Sequence, residues 1–296
     1  MRLPPCVLVV AIGCGTPEAT PADAPPGCEQ PALDAATSSL SGWLNGLPAP
    51  RATLQQRTDA RTFLAAELTT LGYTSELHQY ANGANVIATL PATMGSGKGI
   101  IVGAHFDTVS GSPGANDNAS GTVAVLGVAK LLANVTCRTA PVTIAFFDQE
   151  ELGLFGARAY AMTLDPDEIA AVHTIDQVAW DDDGDRTFEL EAGTATLNAE
   201  WTAAAGVVGV PVSQVATEGT DHEAFRALGF AAIGLTEEFV GNDTSPFRHT
   251  AQDTTATVDL SYLALATKLA TQVVIEEISG DSLHLQHFAY PTSWNR

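Results

Sequence analysis

Residues 99–147 decide the fold, and they open with Gly99-Ile-Ile-Val-Gly103, a short apolar run rich in β-branched residues. A similar run, 141–147, closes the stretch. Neither run alternates polar with apolar residues, which is typical of strands that are buried on both faces of a sheet. Between them, residues 120–134 carry apolar side chains at helical spacing. The order strand, helix, strand predicts a parallel, doubly wound sheet.

The same alternation of helices and strands extends on both sides of this stretch. The pattern predicts further strands at Ser75–Tyr80, 85–90, 171–178 and 231–235. It predicts further helices within 52–71, 197–205, 222–228 and Leu260–Ile278. We therefore expect a single α/β domain with a mostly parallel central sheet flanked by helices. The 296 residues are enough to give such a domain a substantial core.

The charge of the chain excludes two classes of partner. It has 13 Lys and Arg residues against 34 Asp and Glu residues, so its formal net charge is −21. Nucleic acids and anionic membrane surfaces both attract positively charged proteins. We therefore expect neither as a partner.

The N-terminal segment predicts export. Met1-Arg2 is followed by the apolar run 6–13 and by Cys14, a pattern that resembles a bacterial lipoprotein signal with Cys14 as the lipidated residue. An ordinary signal peptide cleaved nearby is the alternative. Residues 14–31 are rich in Pro, Ala and Thr and predict a flexible tether. We expect a signal segment (1–13), this tether (14–31) and one folded domain (32–296).

The predicted export and the cysteine at position 14 limit where the protein can be located. We expect either a cell-envelope lipoprotein or a secreted protein, which contacts a membrane only through a lipid on Cys14.

If Cys14 is modified, Cys28 and Cys137 remain beyond the signal segment. Two cysteines of an exported chain could form a disulfide, but the sequence does not place them close together.

Acidic and imidazole side chains follow the predicted strands, where ligands of open α/β sheets gather. These candidates are His105, Asp107, Asp117, Glu150, Glu151, Asp176 and His249. Taken one at a time, most of them are as readily explained as turn or surface residues. Their common order along predicted strand ends favours a metal site.

The spacing of some candidates suggests distinct roles. His105 and Asp107 are two residues apart, so in extended chain they point to the same side, and Asp107 could orient the imidazole while His105 binds a metal. Of the adjacent pair Glu150 and Glu151, one could bind metal while the other moves a proton. Asp176 lies in an apolar strand pattern, where a charge is costly unless it is paired or metal-bound.

Four motifs carry a resemblance to a known family. They are Gly103-Ala-His-Phe-Asp-Thr108, Gly114-Ala-Asn-Asp-Asn-Ala-Ser-Gly121, Phe146-Phe-Asp-Gln-Glu-Glu-Leu-Gly153 and His249-Thr-Ala-Gln-Asp-Thr254. Together they resemble the hallmarks of metallopeptidase family 28, the co-catalytic di-zinc aminopeptidases related to bacterial leucyl aminopeptidase. The resemblance spans roughly residues 52–260 and implies the zinc aminopeptidase fold, with 32–296 as the catalytic domain.

The resemblance also implies a cofactor and residue roles. It implies two zinc ions, with His105 and Asp176 on one, Glu151 and His249 on the other, and Asp117 bridging both. Glu150 would be the general base, peptide or protein N-termini the substrates, and the peptide bond between Asp117 and Asn118 cis.

Two further segments bear on how a substrate would be bound. Arg248 stands where several relatives place a tyrosine that helps to stabilise the oxyanion, and whether Arg248, another donor or the metals alone take this role stays open. Asp221 and His222 match the Ser-Asp-His segment that lies beside the family's substrate pocket. A helix cap at Thr220 or Asp221 is the alternative reading there.

Three other functions remain as alternatives. A glutaminyl cyclase uses a similar metal site, but its motifs differ at 118–121 and 152–153. A carboxypeptidase or dipeptidase needs a basic group for the substrate carboxylate, and the chain is poor in candidates. A non-catalytic envelope binding protein would lack ligands, and none is missing. The sequence gives no indication of the oligomeric state or of the preferred N-terminal residue.

Overall fold

In the computed structural model, which describes Cys28 and residues 30–279, one sheet of eight strands forms the centre of the molecule. The strands are β1 (Ser75–Tyr80), β2 (Gly83–Leu90), β3 (Gly99–His105), β4 (Val142–Phe147), β5 (Ile169–Ile175), β6 (Phe188–Glu191), β7 (Val212–Val215) and β8 (Ala232–Thr236). The α-helices are α1 (Asp34–Thr37), α2 (Leu40–Gly46), α3 (Leu54–Thr70), α4 (Gly121–Leu132), α5 (Phe155–Ala161), α6 (Ala195–Val208), α7 (Asp221–Arg226) and α8 (Leu260–Ile278).

The strand order is β1-β2-β4-β3-β5-β8-β6-β7. The four central strands β4, β3, β5 and β8 are mutually parallel. At one edge β2 runs antiparallel to β4 and to β1, and at the other β6 runs antiparallel to β8 and parallel to β7. The expectation of an α/β domain with a mostly parallel sheet is confirmed.

The central strands are buried because helices cover both faces of the sheet. Ile100 and Val102 of β3 belong to a large hydrophobic cluster that includes α4 and α8, whereas Ile101 belongs to a smaller cluster that includes α5 and α7. This two-sided burial is the physical reason for the continuous apolar runs. Helix α4 lies deepest, and a Cβ atom on Gly127 would lie only 2.5 Å from the side chain of Thr267 in α8.

Several elements were not predicted from the sequence. These are α1, α2, α5, β6 and β7. The first three are short, and β6 reads Phe-Glu-Leu-Glu, in which both glutamates are nonetheless buried. None of the helices in the described part of the chain is long and apolar enough to cross a membrane.

A disulfide joins Cys28 to Cys137, which lies between α4 and β4, with 5.2 Å between the two Cα atoms. Its sequence separation of 109 residues ties the end of the predicted tether to the folded domain. The signal segment (1–13), Cys14 and most of the predicted tether lie outside the described residues.

Candidate metal centre

The carboxyl ends of the parallel strands bring the predicted site residues together at one edge of the sheet. His105 is the last residue of β3, and Asp176 follows β5 directly. The other candidates lie in adjoining loops, with Asp117 before α4, Glu150 and Glu151 after β4, and His249 after β8. This is the edge at which ligands of open α/β sheets bind.

Two groups of three possible metal ligands share Asp117. In the first group, His105 Nε2 lies 3.5 Å from Asp117 Oδ1 and 3.4 Å from Asp176 Oδ1. In the second, His249 Nε2 lies 3.0 Å from Asp117 Oδ2 and 3.0 Å from Glu151 Oε2. Each carboxylate oxygen of Asp117 therefore faces a different group.

The donor atoms of both groups fit metal ions. His105 Nε2, Asp117 Oδ2, Glu151 Oε1 and Asp176 Oδ1 are buried and have no hydrogen-bond partner within the described residues. Buried polar atoms without partners are rare unless an ion or water satisfies them. Ligand atoms about 2.0–2.2 Å from a tetrahedral zinc lie roughly 3.3–3.6 Å apart, which agrees with the separations in the first group. Imidazole and carboxylate groups are also ligands that zinc accepts.

Asp107 links the imidazole of the first group to the glutamate pair. Its Oδ1 lies 3.4 Å from His105 Nδ1 and accepts a hydrogen bond from the Glu150 backbone N–H at 2.9 Å. Its Oδ2 accepts one from the Glu151 backbone N–H at 3.3 Å. Asp107 therefore lies where it can orient both His105 and the loop that carries the glutamates.

Glu150 lies beside the first group, with its Oε2 3.8 Å from His105 Nε2. Burial raises the pKa of Glu150 to about 10, and the negative charges of Asp176 and Asp221 act in the same direction. Burial likewise raises the pKa of Glu151 to about 7. Burial would raise the pKa of Asp117, but the adjacent imidazoles of His105 and His249 and the charge of Arg248 hold it well below the usual range.

Asp221 and His222, at the start of α7, have different surroundings. The Asp221 side chain is buried, and its Oδ1 has no hydrogen-bond partner within the described residues. Burial raises the pKa of Asp221 to about 8, and its charge interacts with those of His105 and Asp176. His222 instead binds its own loop, with Nδ1 2.7 Å from Thr220 Oγ1 and Nε2 3.2 Å from the Thr217 carbonyl oxygen. Thr220 occupies the N-cap position of α7, as in that alternative, but its side chain makes no capping hydrogen bond.

The structure adds two residues that the sequence analysis did not assign. Asp253 accepts hydrogen bonds from the backbone N–H groups of Asn116 at 2.7 Å and Asp117 at 3.0 Å. Arg51 is fully buried and donates to the backbone carbonyl groups of Phe106 and Gly114. Asp253 lies within the fourth motif, which was the available signal, whereas Arg51 lies in a proline-flanked loop without a pattern.

The backbone around Asp117 has the form that the resemblance implied, because the peptide bond between Asp117 and Asn118 is cis. Three residues at or next to site positions have positive φ angles, namely Gln149 at 63°, Gln177 at 48° and His249 at 60°. Residues other than glycine seldom adopt this conformation, and it concentrates at functional sites.

The comparisons with known proteins agree with this geometry. The sequence signature of Peptidase family M28 matches residues 85–274, which is more than half of the chain. The chain belongs to this family. Among curated family relatives, a probable lipoprotein aminopeptidase of Mycobacterium tuberculosis is 33% identical over 169 residues. That match covers 51% of this chain and 34% of the relative, so the chain spans about a third of the length of that relative.

Solved structures share the fold. The LapA aminopeptidase of Legionella pneumophila superposes with a TM-score of 0.75 at 20% identity, covering 84% of this chain and 72% of that chain. A glutaminyl cyclase of Bacteroides thetaiotaomicron has a TM-score of 0.69 at 19% identity, covering 84% of this chain and 99% of that chain. Because proteins with such different names share this architecture, the fold alone does not select the reaction.

Arg248 directly precedes the candidate ligand His249. Its Nε lies 3.3 Å from Asp117 Oδ2, and its guanidinium carbon lies 5.5 Å from the ring centroid of Phe239. The side chain remains 39% exposed. A permanent positive charge therefore borders the second group of ligands.

Proposed function

We propose that the protein is a zinc-dependent aminopeptidase that removes N-terminal amino acids from peptides. The observation that carries the proposal is the pair of ligand groups that share Asp117, with Glu150 beside them. Family membership supports the same reaction class.

The residues assigned to zinc follow the two groups. His105 and Asp176 would hold one ion, Glu151 and His249 the other, and Asp117 both. Two zinc ions at such a site polarise the scissile carbonyl group and make water a stronger nucleophile at neutral pH.

Glu150 would serve as the general base. It would take a proton from the attacking water and deliver it to the leaving amine. Asp107 holds the Glu150 backbone N–H, so the position of this carboxyl group is set by the same residue that contacts His105. Positive charge bound beside Glu150 would favour the carboxylate form that a general base needs.

The restriction to N-termini would come from the carboxyl group of Asp221, which interacts with the first group. Asp221 is buried, has no hydrogen-bond partner for its Oδ1 within the described residues and interacts electrostatically with Asp176. A substrate α-ammonium group would supply the missing partner and compensate the buried negative charge. A peptide without a free N-terminus could not do so.

The location of the protein is part of the proposal. One relative is named as a probable lipoprotein, and the N-terminal pattern ending at Cys14 resembles a lipoprotein signal. We propose export to the cell envelope with a lipid on Cys14. Incorporation of radiolabelled palmitate in the wild type but not in Cys14→Ala would support this, and equal labelling of both would contradict it.

Aminoacyl-p-nitroanilides, assayed with and without a chelator and zinc, test the reaction. We expect metal-dependent release by the wild type, and a loss of about 10²–10⁴-fold in Glu150→Gln with zinc still bound. Glu168→Gln removes an exposed glutamate outside the site and is the matched control, with activity unchanged. Inactivity towards many aminoacyl groups despite bound zinc would refute the proposal.

The same preparation separates the alternatives. Conversion of an N-terminal glutaminyl peptide to its pyroglutamyl form, without release of amino acids, would identify a glutaminyl cyclase. Saturable peptide binding without any turnover would identify a non-catalytic binding protein.

A further inference from the structure

An acidic and a basic side chain are associated with different ligand groups of the candidate site. Asp221 interacts with the first ligand group through His105 and Asp176. Arg248 lies beside the second group, where it contacts Asp117 and acts on the charge of His249. A substrate that contacts both groups is therefore exposed to the carboxyl group of Asp221 and to the guanidinium of Arg248.

The guanidinium group of Arg248 has more N–H donors than its contact with Asp117 uses. Its one ion pair within residues 30–279 is the 3.3 Å contact of Nε with Asp117 Oδ2, although a guanidinium has five N–H donors. The Phe239 ring lies 5.5 Å from its guanidinium carbon and so restricts where the cation can lie. Arg51 also acts on this carboxylate cluster, but it is buried and its side chain donates to backbone carbonyl groups.

A cation bound by Asp117 and His249 would weaken the ion pair of Arg248 with Asp117, because the shared carboxylate would then be neutralised from its other side. The guanidinium would be left without its acceptor at the edge of the reacting groups. A substrate carboxylate matches its planar fork and can accept two hydrogen bonds at once.

We propose that Arg248 binds the free C-terminal carboxylate of dipeptides, which makes zwitterionic dipeptides the preferred substrate class. This inference rests on the proposed function. In a dipeptide the C-terminal carboxylate lies one residue, about 3.5 Å, beyond the scissile carbonyl group. Arg248 Nε lies 3.3 Å from Oδ2 of Asp117, the carboxylate that both ligand groups share, so its guanidinium borders the place where the scissile peptide would lie. A basic group for a substrate carboxylate is therefore present at the site, although the chain is poor in such candidates.

Hydrolysis of Leu-Ala and of its C-terminal amide tests the proposal, since the two substrates differ only in the terminal charge. We expect the wild type to prefer the free acid by about 10–100-fold in kcat/KM, as befits a charge-assisted hydrogen bond at a partly exposed position. Arg248→Gln should lower kcat/KM for the acid to the level of the amide, with the zinc content unchanged. Arg248→Lys should keep part of the preference.

Arg158→Gln, which removes an exposed arginine that pairs with Glu223 on α7, is the control and should keep the full preference. A binding measurement makes the test independent of turnover. Calorimetry with the ketomethylene isostere of Leu-Ala, as acid and as amide, should show the same preference in the wild type and none in Arg248→Gln.

Two results would overturn the proposal. Equal use of acid and amide by the wild type would show that no terminal carboxylate is recognised. Equal losses on both substrates in Arg248→Gln would show that Arg248 acts on the reacting carbonyl group instead. If no substrate at all were hydrolysed, the proposed function would fail, and the isostere affinities would still decide whether Arg248 binds the carboxylate.

Discussion

Asp253 fixes the backbone of Asp117 from behind, because its Oδ2 accepts a hydrogen bond from the Asp117 N–H at 3.0 Å. Its Oδ1 accepts the N–H of the preceding residue, Asn116, at 2.7 Å. Arg51 holds the carbonyl group of Gly114 at the start of the same turn at 2.7 Å. The candidate ligand Asp117, which both groups share, is thus positioned by the buried side chains of Asp253 and Arg51. Neither of these residues belongs to either group.

Removing this support should weaken metal binding without removing a ligand. We expect Asp253→Asn to lower zinc affinity by about 10–100-fold, the usual effect of losing a partner that orients a ligand. Competition with a chromophoric chelator measures the affinity. Asp259→Ala is the control, because it removes the cap of α8 and should lower stability by about 1 kcal/mol with zinc affinity unchanged. Unaltered affinity in Asp253→Asn would show that the turn is fixed by other contacts.

Because each carboxylate oxygen of Asp117 faces a different ligand group, replacing Asp117 should affect the binding of both metals. We expect Asp117→Ala to lose both zinc ions and His249→Ala to lose only the one assigned to the second group. Elemental analysis after gel filtration in zinc-free buffer gives the stoichiometry. Two zinc ions per chain in Asp117→Ala would defeat the shared-ligand assignment.

The disulfide should stabilise the folded domain. Closing a loop with a sequence separation of 109 residues stabilises by on the order of 5 kcal/mol in the chain-entropy description. Cys28→Ser, Cys137→Ser and the double variant should therefore lower the urea midpoint by the same amount, at a fixed zinc concentration. If the double variant lost as much as the two single variants together, the two cysteines would not act as a pair.

The helices that could be predicted best from the sequence are those with a long repeat of apolar residues on one face. Helix α8 has the predicted bounds Leu260–Ile278, because its period is sustained over five turns against the sheet. Strand β6 was missed because Glu189 and Glu191 read as exposed residues. Glu189 is buried because it accepts the backbone N–H groups of Val240 and Gly241, a tertiary contact that no local pattern reveals.

The same limit applies at the site. Four of the candidate ligands could be predicted because they lie within recognisable motifs, and Asp176 because it is an acid in an apolar strand pattern. Arg51 could not, because its partners include the carbonyl groups of Phe106 and Gly114, more than 50 residues further along the chain. The charge of Arg248 could be read from the sequence, but its contact with Asp117 could not.

Glu191 should make stability depend on pH. Its side chain is buried, with Oε2 3.4 Å from Thr220 Oγ1 and 3.7 Å from His222 Nδ1. Burial raises its pKa from 4.5 to about 8, and the charges of Asp176 and Glu189 act in the same direction. Below pH 4.5 the group is protonated in both the folded and the unfolded chain, so its contribution to stability is fully present there.

Between pH 4.5 and about 8 the unfolded chain has lost this proton while the folded chain still holds it. The free energy of unfolding should therefore fall as pH rises through this window and level off above it. Glu191→Gln cannot ionise, so its stability relative to the wild type should increase from pH 5 to pH 8. Urea unfolding in the presence of a chelator measures this without the pH dependence of zinc binding. Parallel stability curves for the two proteins would mean that Glu191 has the same pKa in the folded and the unfolded chain.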